Sequence, residues 1–236
     1  MEHSINIIDP DTFDLLTQNK MFNGFTEDEI SNMYILLNPL RICVPKGTVI
    51  ISAGDDAEFM WIICEGTIMA SDTDENNDQQ ILNLHERGEY IGLDAVMSSF
   101  ATSPLTFTAI VDSELLRLDI GCLLSGSFDT LTVTKMFLNI NRIIATKCVN
   151  LQIKTAILST RSLRSRIMSY LRIQMSEQGT TTVKISMDRK KLALYLCVNR
   201  SALSRELGNM QRDELITLEA DGIIKVKFPV LVKHAP

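Results

Sequence analysis

The chain of 236 residues is 45 % hydrophobic and 22 % charged, with a formal net charge of −6. That is the composition of an ordinary soluble protein with room for one domain of about 150 residues and a smaller second one. Nowhere does it hold the ~18 uninterrupted apolar residues of a membrane helix, and its first residues, MEHSINIIDPDTFDLL, carry acids where a signal peptide needs bases; a cytoplasmic location without a membrane partner is expected.

Residues 12 to 40 place Phe13, Leu15, Leu16, Ile30, Met33, Leu36 and Leu37 at helical intervals, and Thr26 precedes Glu29 by the three positions of a capping box, which predicts short N-terminal helices. From Leu40 to Leu118 the pattern changes to short apolar runs (ICV, TVIIS, FMWIICEG, TIMAS, QILNL, FTAIV, ELLRL) punctuated by Gly47, Gly54, Gly66, Gly88 and Gly92. Such spacing predicts an antiparallel barrel or sandwich, with Asp72 to Asp78 as a polar hairpin tip. Phe128 to Leu158 then runs without Pro or Gly and fits a helix of about eight turns. Phe137, Ile144, Cys148, Leu151 and Leu158 fall close to a heptad seam, with Asn141 and Thr155 in the same register, so a second copy of the chain is the expected partner along this helix.

Beyond the long helix, STRSLRSRIMSYLRIQM reads as a basic helix, SEQGTTT as a break and TVKIS as a strand. Charge changes sign here: residues 159 to 236 carry 14 Lys and Arg against 7 Asp and Glu, and the rest of the chain 9 against 22. An acidic body with a basic tail suggests that the tail alone meets a polyanion. The pattern from Ser186 onward names the device: Ser186 is placed to cap a helix Met187 to Tyr195 with Leu192 and Leu196 buried, Leu196-Cys197-Val198 makes a turn, and Asn199 starts a second helix. In that helix Leu203, Leu207 and Met210 share one face and throw Arg200, Ser201, Ser204 and Arg205 onto the other. Arginine pairs with guanine and serine with bases or phosphates when the first turns of a helix enter the major groove of double-stranded DNA. Arg189, Lys190, Lys191 and Arg212 flank that surface as phosphate contacts. ELITLEADGIIKVKF, with Asp221-Gly222 at its turn and Lys225 and Lys227 on one face, reads as a hairpin wing.

These residues resemble the Crp/Fnr family of bacterial transcription regulators over nearly the whole chain. The most specific part is VNRSALSRELGNMQRDELI, similar to the family's recognition helix; KGTVIISAGDDAEFMWIICEGTI and RGEYIGLDAV resemble the glycine frame and effector loop of its barrel. The resemblance implies an α+β fold with an antiparallel β jelly-roll barrel, a long dimerisation helix and a C-terminal winged helix-turn-helix. It divides the chain into an effector domain, residues 1–127, a dimerisation helix, 128–158, and a DNA-binding domain, 159–236. It implies a homodimer on a palindromic operator, and an activator would also touch RNA polymerase, for which no residue is marked.

The departures bear on the effector. Family members that bind cyclic AMP carry Glu right after the second glycine of the loop and Arg shortly beyond; here Leu93 and Ser103 stand there, with no Lys or Arg between Arg87 and Arg117. A buried cyclic phosphate would lack its countercharge. The closely spaced N-terminal cysteines of the iron–sulfur members are missing, no Cys preceding Cys43. A haem would have only His85, Cys64 or Cys122 as interior ligands, and a thiol switch only Cys148 or Cys197 as candidates. No cofactor is predicted. An unidentified small-molecule effector in an apolar pocket remains, with Trp61, Leu93, Val96, Met97, Phe100 and Phe107 as its candidate lining; the alternative is a barrel that no longer senses. No nucleophile and base pair, metal cluster or phosphate-cradling glycine loop argues for an enzyme.

Overall fold

The computed structural model describes residues 8–73, 79–124 and 129–227. They form two compact units that divide at Cys148 and Val149. The first opens with helix α1 (Pro10–Thr17), whose Asp9 cap accepts from the Thr12 amide, and α2 (Glu27–Leu36), where the capping box expected from Thr26 and Glu29 closes in both directions. A 3₁₀ turn at Lys20–Phe22 lies between them.

The eight strands that follow make two four-stranded antiparallel sheets. One contains, in spatial order, β1 (Leu40–Val44), β8 (Ser113–Leu118), β3 (Met60–Glu65) and β6 (Tyr90–Ile91). The other contains β2 (Val49–Ile51), β7 (Thr106–Ala109), β4 (Thr67–Thr73) and β5 (Gln79–Glu86). Their facing sides enclose Val44, Ile51, Ile63, Ile68, Ile91, Phe107 and Leu115. Met60, Ile62, Cys64, Leu116 and Leu118 instead join the N-terminal helices in a second cluster. Strand β3 is therefore buried on both faces, which is why its sequence, MWIIC, is an unbroken apolar run instead of an alternating one. Strands β4 and β5 pair from Thr67↔Glu86 to Thr73↔Gln79; most of the expected polar tip lies outside the described residues.

Two glycines of the frame are demanded by space as well as by conformation. Gly66 has φ 96°, and a Cβ there would lie 2.8 Å from the Ser113 Cα. At Gly92, φ 79°, it would meet the Phe59 carbonyl at 2.9 Å. Gly92 opens α3 (Leu93–Val96).

Helix α4 (Thr130–Leu158) is one unbroken element. Phe128, the expected start, is outside the described residues; Asp129 caps the helix by accepting from the Thr132 amide and hydroxyl. Its first turns pack Met136 and Ile140 into the cluster of the N-terminal helices. Buried Asn139 donates to the carbonyls of Met21 and Asn23, both at 2.9 Å, and Lys135 reaches Glu29 at 2.7 Å.

The second unit contains α5 (Leu163–Gln178), capped by Ser162 and ended by left-handed Gly179, then β9 (Thr182–Lys184), α6 (Arg189–Tyr195), α7 (Arg200–Arg212), β10 (Ile216–Leu218) and β11 (Ile223–Val226). The strands form a sheet in the order β10-β11-β9. Tyr170, Leu171, Val183, Leu192, Leu196, Leu203, Leu207, Met210, Ile216 and Ile224 build its core, to which the last turns of α4 add Ile157. The architecture is thus α+β: antiparallel jelly-roll sheets, a long helix and a winged helix-turn-helix. One local expectation fails. The cap of α6 is Asp188, which accepts from the Lys191 amide at 2.7 Å, and not Ser186. Met187 precedes that cap and packs half-buried on the core that holds Leu192, the arrangement of a hydrophobic staple, so the helix starts two residues later than expected.

Candidate nucleic-acid interface

Two short helices present the surface. The end of α6 turns through Leu196, Cys197 and Val198: Cys197 is left-handed at φ 53°, and the Val198 amide returns to the Ala193 carbonyl at 3.0 Å. That is a Schellman ending with cysteine in the place usually taken by glycine. Asn199 then caps α7, its Oδ1 accepting from the Ala202 amide at 2.7 Å and from the Ser201 hydroxyl at 2.8 Å.

Leu203, Leu207 and Met210 of α7 are buried, and the opposite face exposes Arg200, Ser201, Ser204 and Arg205 in its first two turns. Two cations and two hydroxyls thus stand together at the positive end of a helix dipole, where phosphate oxygens and base edges find donors. Lys190 and Arg212 are exposed as well, Arg212 donating to Asn209 Oδ1. Arg189 and Lys191 are half-buried, and burial pulls the Arg189 guanidinium below its ordinary pKa.

In the wing, Asp221 (φ 56°, ψ 30°) and Gly222 (φ 75°) are both left-handed, the geometry expected of an Asp-Gly hairpin, and Lys225 and Lys227 are exposed on one face of β11 and its extension. The pairing of β11 with β9, through Ile224↔Val183, fixes the wing to the core.

One residue of this surface was not singled out in the sequence. Arg164, at the start of α5, lies 2.6 Å from Glu206 of α7 through Nε and 2.7 Å from Asp213, the C-cap of α7, through Nη1. The Arg164 guanidinium holds the Glu206 carboxyl below its ordinary pKa against the effect of burial. A basic helix was legible in STRSLRSRIMSYLRIQM, but which of its arginines faces α7 depends on the packing of α5.

The barrel side distributes the candidate effector residues. Leu93 and Val96 sit in the cluster of the N-terminal helices, whereas Trp61 and Phe107 belong to the core between the sheets. Met97 and Phe100 are exposed, Phe100 to 83 %. These residues do not share one wall. Ser103 is buried and donates to the Leu105 carbonyl at 2.7 Å. His85 is half-buried with Nδ1 3.3 Å from Glu89, and burial pushes the Cys64 thiol up to about 11. Cys122 also titrates high, raised by its hydrogen bond to Asp119 and by burial. Among the described residues, no group of three or more His, Cys, Asp or Glu side chains is arranged to hold a metal ion.

Two sequence models match this chain in tandem. The cyclic nucleotide-binding domain matches residues 41–125, over the two sheets, and the Crp-like helix-turn-helix domain residues 165–231, over α5 to the wing. The chain belongs to the Crp/Fnr family. This Crp/Fnr protein is a DNA-binding transcription regulator. Among its relatives are the fumarate and nitrate reduction regulatory protein of Vibrio cholerae and the electron transport regulator A of Shewanella oneidensis. Each is 25 % identical over 199 residues, covering 81 % of this chain and 74 % of the relative. Solved structures share the fold. A global regulator of Xanthomonas campestris, described as responsive to cyclic di-GMP, aligns with TM-score 0.58 at 16 % identity, over 84 % of this chain and 98 % of its own. A CooA mutant from Carboxydothermus hydrogenoformans aligns with TM-score 0.58 at 13 % identity, over 82 % of this chain and 86 % of its own. Among the described residues of this Crp/Fnr chain, no helix is long and apolar enough to cross a membrane.

Proposed function

We propose that the protein acts as a homodimer that reads a two-fold symmetric operator with α7 of each protomer, under control of a barrel whose effector is not a cyclic nucleotide monophosphate. Residues 1–127 sense, 128–158 dimerise and 159–236 bind DNA. Arg200, Ser201, Ser204 and Arg205 read bases or position phosphates, with Lys190, Arg212 and the half-buried Arg189 and Lys191 along the backbone path. The observation that carries this reading is the convergence of two exposed arginines and two serines on the capped first turns of α7. An effector changes how the barrel packs on α4 and so re-aims both recognition helices toward successive major grooves about one helical turn apart.

The periodicity of α4 supports dimerisation with a register of its own. Leu131, Thr134, Leu138, Asn141, Ala145, Cys148, Gln152 and Thr155 are all exposed and alternate at spacings of three and four. Phe137 and Ile144, expected on the seam, are instead turned half-buried into the cluster of the first unit. The partner's helix packs along the line through Leu138, Asn141, Ala145 and Cys148, with Asn141 fixing register at some cost in stability.

Leu93 and Ser103, both buried, supply neither the carboxylate nor the cation that a ribose and cyclic phosphate would require. The same burial favours a second reading, a regulator that binds DNA without an effector. Selection of duplexes from a random pool by the purified protein, at physiological salt and without added ligand, separates them. Enrichment of a palindrome means an apo form competent to bind; salt-sensitive bulk binding without enrichment means recognition helices that await an effector; no binding at all removes the DNA-reading role of α7.

A further inference from the structure

The recognition helix carries a liability. Glu206 follows Arg205 directly, and Asp213 ends the helix where its dipole is already negative. Both carboxylates would repel the phosphates that Arg200, Arg205 and Arg212 attract. They stand seven residues apart, two turns or about 10 Å along one helix face, and a single guanidinium spans both: Arg164 Nε meets Glu206 Oε1 at 2.6 Å and Nη1 meets Asp213 Oδ2 at 2.7 Å. Glu206 Oε2 also accepts from Asn209 Nδ2 at 3.1 Å, and Asn209 Oδ1 takes Arg212. One network thus runs from α5 through two points of α7 to an exposed cation of the interface.

We infer that Arg164 is a positioning residue for DNA reading: by bridging Glu206 and Asp213 it screens both carboxylates from the operator and fixes the rotation of α7 against α5, without touching DNA itself. The inference rests on α7 being the reading helix. Nε already donates to Glu206 and Nη1 lies against Asp213, whereas a phosphate contact would need the guanidinium turned outward. A lysine has the charge but not the planar fork that reaches two acceptors at once.

Full-length wild-type protein, Arg164→Gln, Arg164→Lys, Glu206→Gln and the combination of each Arg164 variant with Glu206→Gln are titrated against the duplex recovered from the random pool, at several salt concentrations, with circular dichroism spectra and melting curves alongside. Arg164→Gln is expected to weaken cognate binding by about tenfold. Adding Glu206→Gln should recover most of that loss, and the slope of log affinity against log salt should stay within about half a unit of wild type. A loss of the same size in the Glu206→Gln background, with the salt slope reduced by about one, makes Arg164 a phosphate contact and overturns the inference. So does unchanged affinity in a folded Arg164→Gln protein. Should Arg164→Gln fail to fold, Arg164→Lys decides: a partial loss relieved by Glu206→Gln supports the bridge, and wild-type affinity refutes it. If the wild-type protein enriches no duplex and binds no DNA, the reading role of α7 fails first and this inference with it.

Discussion

Cys197 holds a left-handed backbone, φ 53°, with its side chain exposed in the turn between α6 and α7. An L residue there costs roughly 1–2 kcal/mol, partly offset by the freedom glycine would add to the unfolded chain. Cys197→Gly should therefore stabilise the protein by about 0.5–1 kcal/mol, read as a higher denaturant midpoint at unchanged slope; a lower midpoint would show that the thiol packs usefully. The sequence displayed a turn at Leu196-Cys197-Val198 but no glycine to mark its left-handed residue. Ser186 was the expected cap of α6, and Asp188 takes that place because Met187, between the two, packs on the core instead of opening the helix. Arg164 lay unmarked for the same kind of reason, since its partners are 42 and 49 residues away in sequence.

Among elements, α4 turns part of its expected seam to its own core: Phe137 and Ile144 pack inward, whereas Asn141, Cys148 and Thr155 are exposed as expected. Periodicity established that an apolar stripe exists, but the stripe is wide enough to serve two customers. Phe137, Ile140 and Ile144 turn to the N-terminal helices, and Leu131, Leu138 and Ala145 are left outside. If the exposed line is the dimer seam, Leu138→Glu should convert the protein to a monomer at micromolar concentration, because it buries a pair of like charges at the two-fold axis. Leu151→Glu, on a residue 54 % exposed and off that line, should leave the dimer intact. Light scattering after size exclusion distinguishes the two, and the opposite result would restore the seam through Leu151. The β elements were more legible, since turns at glycine and strands of alternating or continuous apolarity follow from local sterics.

For the whole molecule the division of charge has a consequence in acid. Burial favours a raised pKa at Asp9, but hydrogen bonds from the Thr12 hydroxyl and amide and the pairing with Arg41 bring it down to about 2. Arg41, bonded on its other side, lowers Glu114, and Lys135 with the Thr26 amide lowers Glu29. Groups depressed on folding add stability that is complete above their unfolded pKa and is lost as pH falls through the folded value. The melting temperature should thus be steady above about pH 5 and fall between about pH 4 and 2. Arg41→Gln should flatten that fall and cost about 1 kcal/mol at neutral pH, since these side chains are well solvated; an unchanged acid limb would mean that the cluster does not contribute.

Local chemistry in the sequence was sufficient for the capped N-terminal helices, the glycine-framed strands, the long helix, the helix-turn-helix with its Asp-Gly wing and the exposed quartet on α7. Each depends on spacing within one element, and spacing survives without knowledge of neighbours. Tertiary structure alone decided which face of α4 stays free, that Leu93 and Val96 join a different core from Trp61 and Phe107, and that Arg164 answers two acids of α7. Those depend on which surfaces meet across long stretches of chain, a matter of packing that no local pattern encodes.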